Sequence, residues 1–302
     1  MPSFTESLIA AAKAPLRPVA RRVGLAAPAG DWWNARRGPW KVDPSATSHG
    51  AACNICRWTG AAFNGPYHSE MAQCPQCGSI ARDRFLMHCF TSTVKRPRGL
   101  RVLETSPRLG HEYRVMMRRH FRYTASDFDL SAHEGDIQID LQNIALPDSS
   151  VDVLLTPHVL EHVPDTDKAL AEIHRMLAPG GHMFLQVPLL VGTTTVPTEP
   201  EFHADNTPVF FRFGWDLTFR LREAGFTTKV LVTEEWREML AGRIEPPTSN
   251  GDGFDVEDIV AAARRSLDVD RDVAAACTTL QSHAFGFLPP YHFATWHCHK
   301  PR

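Results

Sequence analysis

Four cysteines fall in two tight pairs, Cys53 and Cys56 around Asn-Ile and Cys74 and Cys77 around Pro-Gln, giving C-x2-C-x17-C-x2-C. Two such knuckles can present four thiolates tetrahedrally to one zinc ion, and the stretch between them is long enough for a hairpin or two. Disulfides are disfavoured in a reducing compartment for a chain with no export signal, and a redox pair has no need of a second copy. With cysteine in all four positions no coordination site is left for water, so the expected zinc is structural. Cys89, Cys277 and Cys298 read as buried small apolar residues.

A second chemical set consists of acids that end short apolar runs: Glu104 after VL, Asp127 after YTAS, Asp140 after IQI. A carboxylate at the end of a second strand, about 20 residues beyond the first turn, can accept both hydroxyls of a ribose. Asp127 lies 23 residues after Glu104. Glu104 can support the turn and bind a cationic amine, and Asp140 can take an exocyclic amino group with Leu141 walling an adenine face. Any one of these alone is an ordinary polar strand end. Three in order point to a nucleoside-type site.

The elements that must position these residues are legible from Val151 to Pro188, which reads as strand, polar turn, amphipathic helix, Pro-Gly-Gly stop and strand. Val151 to Leu155 is a nearly unbroken apolar run, as in a strand covered on both faces, and Ala169, Leu170, Ile173, Met176 and Leu177 recur at helical spacing. Asp165 or Thr166 caps the helix start, and Pro179-Gly180-Gly181 is expected to end it. Met183 to Val187 is the next strand. Ligands of open parallel sheets bind outside the carboxyl ends of strands, so Thr156, Pro157 and His158 stand where chemistry is expected.

Around this βαβ unit the pattern predicts strands at Leu100–Leu103, Arg122–Ser126, Ile137–Ile139, Lys229–Val232 and His292–His299. Helices are predicted from about Ser79, over Leu109 to Met117, and from Trp215 to Ala224. The chain divides into a leader (1–50, with Trp32, Trp33 and Trp40 available for docking), a zinc ribbon with its connecting helix (51–98), and a main domain (99–302) with insertions at about 189–214 and 235–290. The 302 residues and a formal net charge of −2 fit about two folding units and advertise no global field for nucleic acid or anionic membrane. No apolar run approaches the roughly 18 residues that cross a bilayer. The basic, amphipathic N-terminus has too short an apolar stretch for a secretory signal, and a cytoplasmic location is expected.

The order of VLETSPRLG, YTASDFD, GDIQIDLQNIALPDSSVDVLLTPHVLEHVPD and LAPGGHMFLQVP resembles the class I S-adenosylmethionine-dependent methyltransferases of the type 11 group, over about residues 100–232. CNICRWTG and CPQCGSIARDR resemble a bacterial subgroup in which a zinc ribbon precedes that domain. The resemblance implies an α/β, Rossmann-like, seven-stranded, mostly parallel sheet in the order 3-2-1-4-5-7-6, the seventh strand antiparallel. It implies that Glu104, Ser106 and Gly110 match the first cofactor motif, Asp127 the ribose acid, Asp140 and Leu141 the adenine contacts, and Thr156, Pro157 and His158 the methionine end. The family's first loop is normally rich in glycine, whereas this one keeps only Gly110, so Ser106 and Pro107 are expected to take a different path.

The implied chemistry is in-line attack of an oxygen or nitrogen on the sulfonium methyl, with alignment as the main contribution and proton removal for a hydroxyl acceptor. His158, His162 and His203 are the candidate bases, each with a bland alternative as a helix-lining or loop residue. HVLEHV is similar to the E-x-x-E-H pattern of metal-assisted O-methyltransferases, but His158 replaces the first carboxylate and magnesium is a minority reading. The expected acceptor is a small molecule or glycan. RNA gripped by the ribbon, and a non-catalytic S-adenosylmethionine-binding protein, are the alternatives. Basic residues near the knuckles are few (Arg57, Arg82, Arg84), and phosphate-driven binding would fall steeply with salt. A dinucleotide-dependent oxidoreductase would want the missing glycine fingerprint.

Overall fold

The structure is a computed structural model that describes residues 50–65, 70–95, 99–131, 135–203, 206–247, 255–289 and 294–302. Residues 1–49 of the leader, with its three tryptophans, and the first two residues of the expected last strand (292–293) lie outside the described residues.

The first elements among the described residues are a two-stranded hairpin, β1 (Ala51–Ala52) and β2 (Thr59–Gly60), followed by α1 (Ala81–Thr93). The strands of the main sheet are then β3 (Arg101–Thr105), β4 (Arg122–Asp127), β5 (Ile137–Gln138), β6 (Val151–Pro157) and β7 (Leu177–Gln186). Between them lie α2 (His111–His120) after β3 and α3 (Thr166–Met176) after β6. A small hairpin, β8 (Glu201–Phe202) and β9 (Pro208–Val209), leads to α4 (Leu217–Glu223) and β10 (Thr227–Thr233). The remainder is α5 (Glu234–Leu240), α6 (Val256–Ser266), α7 (Val269–Asp272), β11 (Val273–Cys277), α8 (Thr279–Phe285) and β12 (Thr295–His299).

The main sheet runs β11-β10-β12-β7-β6-β3-β4-β5. All its pairings are parallel except those of β12, which is antiparallel to both neighbours. The described sheet has eight strands where seven were expected. The extra one, β11, comes from the second insertion and pairs with β10 from Val230↔Val273 onward, so that segment extends the sheet as well as adding helices.

Burial follows the two faces. One core holds Ala169, Leu170, Ile173 and Met176 of α3, with Trp215, Trp236 and Trp296 packed ring against ring at 6.2 and 6.1 Å. The Nε1–H of Trp296 donates to Thr218 Oγ1, and that of Trp215 to the Ile259 carbonyl, so the donors of these two rings are satisfied in the core. Each leucine- or isoleucine-sized side chain so enclosed contributes about 1.5–3 kcal/mol. The opposite core joins α1 and α2 to the sheet through Phe85, Phe90, Val102, Tyr113, Met117 and Phe184, and it continues into Cys53 and Cys74. The cysteine knuckles therefore share a core with the sheet.

Asp165 caps α3 as expected, accepting from the Lys168 N–H at 3.0 Å. The end of that helix departs from the sequence reading. It stops at Met176, Leu177 is already extended, and Pro179-Gly180-Gly181 lies inside β7. There the register jumps from Val151↔Leu177 to Val153↔His182. Gly180 takes φ +78, and a Cβ on Gly181 would stand 2.7 Å from the Ala178 carbonyl, so the glycines shape a bulge. The helix end is held from elsewhere: the Lys300 ammonium donates to the carbonyls of His174 and Leu177 at 2.7 and 2.8 Å, a cation placed at the negative end of the helix.

Candidate active site

Register sets the site. Thr105 stands opposite Ser126, Glu104 opposite Leu155, and Asp127 opposite Gln138. The residues that leave the sheet, Ser106, Asp127 and Pro157, consequently emerge side by side at the carboxyl edge. The Ser106 N–H donates to the Ser126 carbonyl at 2.7 Å, the Ile139 N–H to the Asp127 carbonyl at 2.9 Å, and Thr105 Oγ1 to Thr156 Oγ1 at 2.9 Å. Ser106 has φ +46. This is a left-handed dihedral that glycine adopts at no steric cost and that serine takes here.

Each predicted residue has a definite place. Glu104 is buried, and its Oε2 accepts from the hydroxyls of Tyr113 (2.9 Å) and Tyr123 (2.7 Å). Burial pushes its pKa up to about 7 against the pull of those two hydroxyls. Asp127 is largely buried at the end of β4, and its Oδ1 receives the Asp129 N–H at 3.0 Å. Asp140 turns the chain after β5, its Oδ1 accepting from the Gln142 N–H at 2.8 Å, with Leu141 buried beside it. Gly110 precedes α2 at an ordinary φ of −72, and a Cβ there would meet open space.

Thr156 is buried; His158 follows β6 at φ +52, its N–H donating to the Gln186 carbonyl at 2.8 Å. The 3-10 turn Leu160–His162 and the β8–β9 hairpin close one side, with Phe210 N–H donating to the Glu161 carbonyl at 2.8 Å. This brings the three candidate bases together. The rings of His162 and His203 are 4.7 Å apart, and Glu161 Oε1 lies 3.8 Å from both His158 Nδ1 and His162 Nε2. His162 Nδ1 is 2.7 Å from the Pro208 carbonyl, which makes it the donor and leaves the lone pair on Nε2. Burial, then the nearby Arg82, hold the His158 pKa well below the usual imidazole range.

Three further residues stand here: Arg82 and Glu161, which the sequence showed only as a basic residue near the knuckles and as the acid of HVLEHV, and Phe128. Arg82 Nη1 donates to His158 Nδ1 at 3.1 Å and to Glu70 Oε1 at 2.8 Å. Glu161 is buried with neither carboxyl oxygen hydrogen-bonded, and burial pushes its pKa up to about 8. Phe128 is 67% exposed; its place directly after Asp127 was open to sequence, its exposure was not. In the aromatic run FHADNTPVFFRFGWDL, Phe213 and Trp215 are core, while Phe202 and Phe210 stay exposed.

The four cysteines meet. Their sulfur atoms all lie within 4.8 Å of one another, with Cys53–Cys77 at 3.7 Å and Cys56–Cys74 at 3.6 Å. A tetrahedron of metal–sulfur bonds of about 2.3 Å has edges of about 3.8 Å, so the donor set fits zinc. The knuckles repeat one backbone pattern: Arg57 N–H to the Cys53 carbonyl (2.8 Å) and Gly78 N–H to the Cys74 carbonyl (2.9 Å), with Arg57 and Gly78 at φ +63 and +72. Behind them Arg84 is wholly buried over the Phe63 ring and donates to the carbonyls of Ser79, Ala72, Phe285 and Gly286. Cys89, Cys277 and Cys298 are buried apart, and burial pushes Cys277 and Cys298 up to about 12.

Residues 81–227 match the family model described as a methyltransferase domain. The chain carries a methyltransferase domain. Its mostly parallel sheet with helices on both faces is an α/β, Rossmann-like fold. Solved structures similar to it include an S-adenosylmethionine-dependent methyltransferase from Mesorhizobium loti (16% identity, 73% of this chain and 98% of that one, TM-score 0.42). Others are the 1,6-didemethyltoxoflavin-N1-methyltransferase of Burkholderia thailandensis (15%, 68% and 72%, 0.38) and a phosphoethanolamine N-methyltransferase 2 of Haemonchus contortus (15%, 72% and 52%, 0.39). An uncharacterised 37.1 kDa protein in transposon TN4556 of Streptomyces fradiae is 43% identical over 49 residues, 16% of this chain. The match spans only 14% of that curated relative. These likenesses carry no weight for the acceptor of the methyltransferase. Among its described residues no helix is long and apolar enough to cross a membrane.

Proposed function

We propose that this methyltransferase moves a methyl group from S-adenosylmethionine to an oxygen or nitrogen of a small-molecule or glycan acceptor, in the cleft at the carboxyl ends of β3, β4, β5 and β6. The observation that carries the reading is the shared level of Ser106, Asp127 and Pro157, with the Asp127 carboxylate at the strand end next to the turn. In it Asp127 takes the ribose hydroxyls, Asp140 the adenine amino group, Leu141 and the open Phe128 ring the adenine faces. The left-handed Ser106 turn with Gly110, and Thr156, Pro157 and His158, flank the methionine end. Glu104 supports the turn from beneath through its tyrosines.

The bound donor supplies an electrophilic methyl group. The chain's part is to orient the acceptor and take its proton. His162 is the best placed base, because its Nδ1–H is committed to Pro208 and the lone pair sits on Nε2. His203 lies against its ring from the hairpin. His158 directs its Nδ1 lone pair to Arg82, which suits a residue that lines the site. The four thiolates hold a structural zinc, with no position open for catalysis.

Transfer of labelled methyl from S-adenosylmethionine into fractionated cell extract tests the proposal. Label in the small-molecule or glycan fraction is expected. Label confined to RNA, or in no fraction with folded and zinc-replete protein, contradicts it.

A further inference from the structure

Three histidines converge on the sheet away from the cleft, and the methyl-transfer site uses none of them. His297 and His299 are alternate residues of β12, so the pleat turns both to one face, while Trp296 and Cys298 go to the tryptophan core on the other. His182 of β7 is the register partner of His299, and Phe184 that of His297. Since His182 also pairs with Val153, near the start of β6, the group sits toward the amino-terminal end of the parallel strands. His182 Nδ1 lies 2.9 Å from His297 Nε2, with ring centroids 5.1 Å apart and planes 22° from parallel. The rings of His182 and His299 are also 5.1 Å apart.

We propose that His182, His297 and His299 form a binding site for a first-row transition-metal dication that prefers imidazole, such as zinc, copper(II) or nickel(II). Two histidines two residues apart on a strand stand about 7 Å apart along it, and a histidine directly opposite on the neighbouring strand about 5 Å away. A point above the strand pair is within reach of all three rings. Metal–nitrogen bonds of about 2.1 Å at tetrahedral angles put nitrogens about 3.4 Å apart. The His182–His297 pair is within about half an ångström of that spacing already.

As the rings stand, that pair is closed by its own N–H···N hydrogen bond, and the three nitrogens are not gathered at one point. Metal entry shifts one proton to the far nitrogen of its ring, so both lone pairs face inward with no proton released, and His299 turns in about its side-chain bonds. All three rings are half-buried, which leaves the fourth coordination position to water. Burial holds His182 and His297 down to about 4, so at neutral pH no proton competes for those two rings. Lys229, exposed and paired in register with His297 on β10, is the nearby cation that binding must tolerate.

Metal content decides the proposal. The full chain, its cysteines zinc-replete, is dialysed against micromolar free zinc and the metal counted per chain beside His182→Gln and His297→Ala. The wild-type chain is expected to hold about one equivalent more than either variant. Because a variant can lose its fold, the wild-type imidazole resonances are followed in the same titration. Saturable shifts at His182, His297 and His299 are expected. Equal zinc in all three chains, or shifts confined to other histidines, overturns the site.

Discussion

Arg82 bridges Glu70, in the loop between the cysteine pairs, and His158, at the exit of β6: one guanidinium nitrogen stands 2.8 Å from the carboxylate and 3.1 Å from the imidazole Nδ1. The cysteine knuckles are therefore mechanically joined to the cleft. After burial, Arg82 is the largest influence lowering the His158 pKa. Arg82→Ala removes a cation from beside the ring, so His158 is expected to titrate at higher pH than in the wild type. Proton-detected NMR of the imidazole across pH reads this; an unchanged titration would deny the bridge.

Metal removal follows from the shared core. Cys53 and Cys74 pack in the cluster that also holds Val102, Phe90 and Phe184, and ligand thiolates without metal cannot keep that geometry. Chelation of the zinc, or Cys77→Ser, is expected to lower the melting temperature by about 10 °C or more, several kcal/mol at this chain length. Differential scanning fluorimetry before and after zinc is restored checks it, and an unmoved transition speaks against a structural metal.

Ser106 holds a left-handed backbone without being glycine. That conformation costs an ordinary residue about 1–2 kcal/mol, while glycine brings back roughly 0.5–1 kcal/mol of unfolded-state freedom. Ser106→Gly is expected to stabilise the chain by up to about 1 kcal/mol, and Ser106→Val to destabilise it. Urea unfolding of the pair measures both, and a glycine variant weaker than the wild type would contradict the assignment of strain.

These residues also show what sequence can carry. The βαβ unit was legible because a buried parallel strand is an apolar run and α3 repeats at 3.6 residues, both local properties, and Asp165 announces its own cap. Pro179-Gly180-Gly181 was misread because the same residues serve a helix stop or a strand bulge, and the deciding contact comes from Lys300 at the far end of the chain. β11 was missed since VAAAC, between helical patterns, has no periodicity that separates strand from helix. The acids at strand ends could be placed because strand order fixes their level. Arg82, 76 residues from His158, and the orphaned carboxyl of Glu161 depend on packing across elements that no local pattern encodes.

Acid should loosen the second insertion. Asp272 is buried, which by itself would raise its pKa, but hydrogen bonds from Arg271 and Arg222 at 2.8 Å hold it down to about 2. A depressed carboxylate stabilises fully above its unfolded pKa of about 4, and that stability is lost as pH falls toward 2. Asp272→Asn is expected to cost about 1–3 kcal/mol at pH 7, less than an enclosed pair because Arg271 is open to water. The difference from wild type should vanish near pH 2, as read by denaturant unfolding at both pH values; a constant difference would contradict the pairing.

The central claim is that the carboxylate of Asp127 and its neighbours at the strand ends hold the donor. Calorimetric titration of S-adenosylhomocysteine into the zinc-replete full chain, wild type beside Asp127→Ala, tests it most directly. Saturable binding by the wild type is expected, with the variant, folded by circular dichroism, at least about tenfold weaker, which is about 1.4 kcal/mol. No binding by the folded wild type, or equal affinity in both chains, would contradict the account.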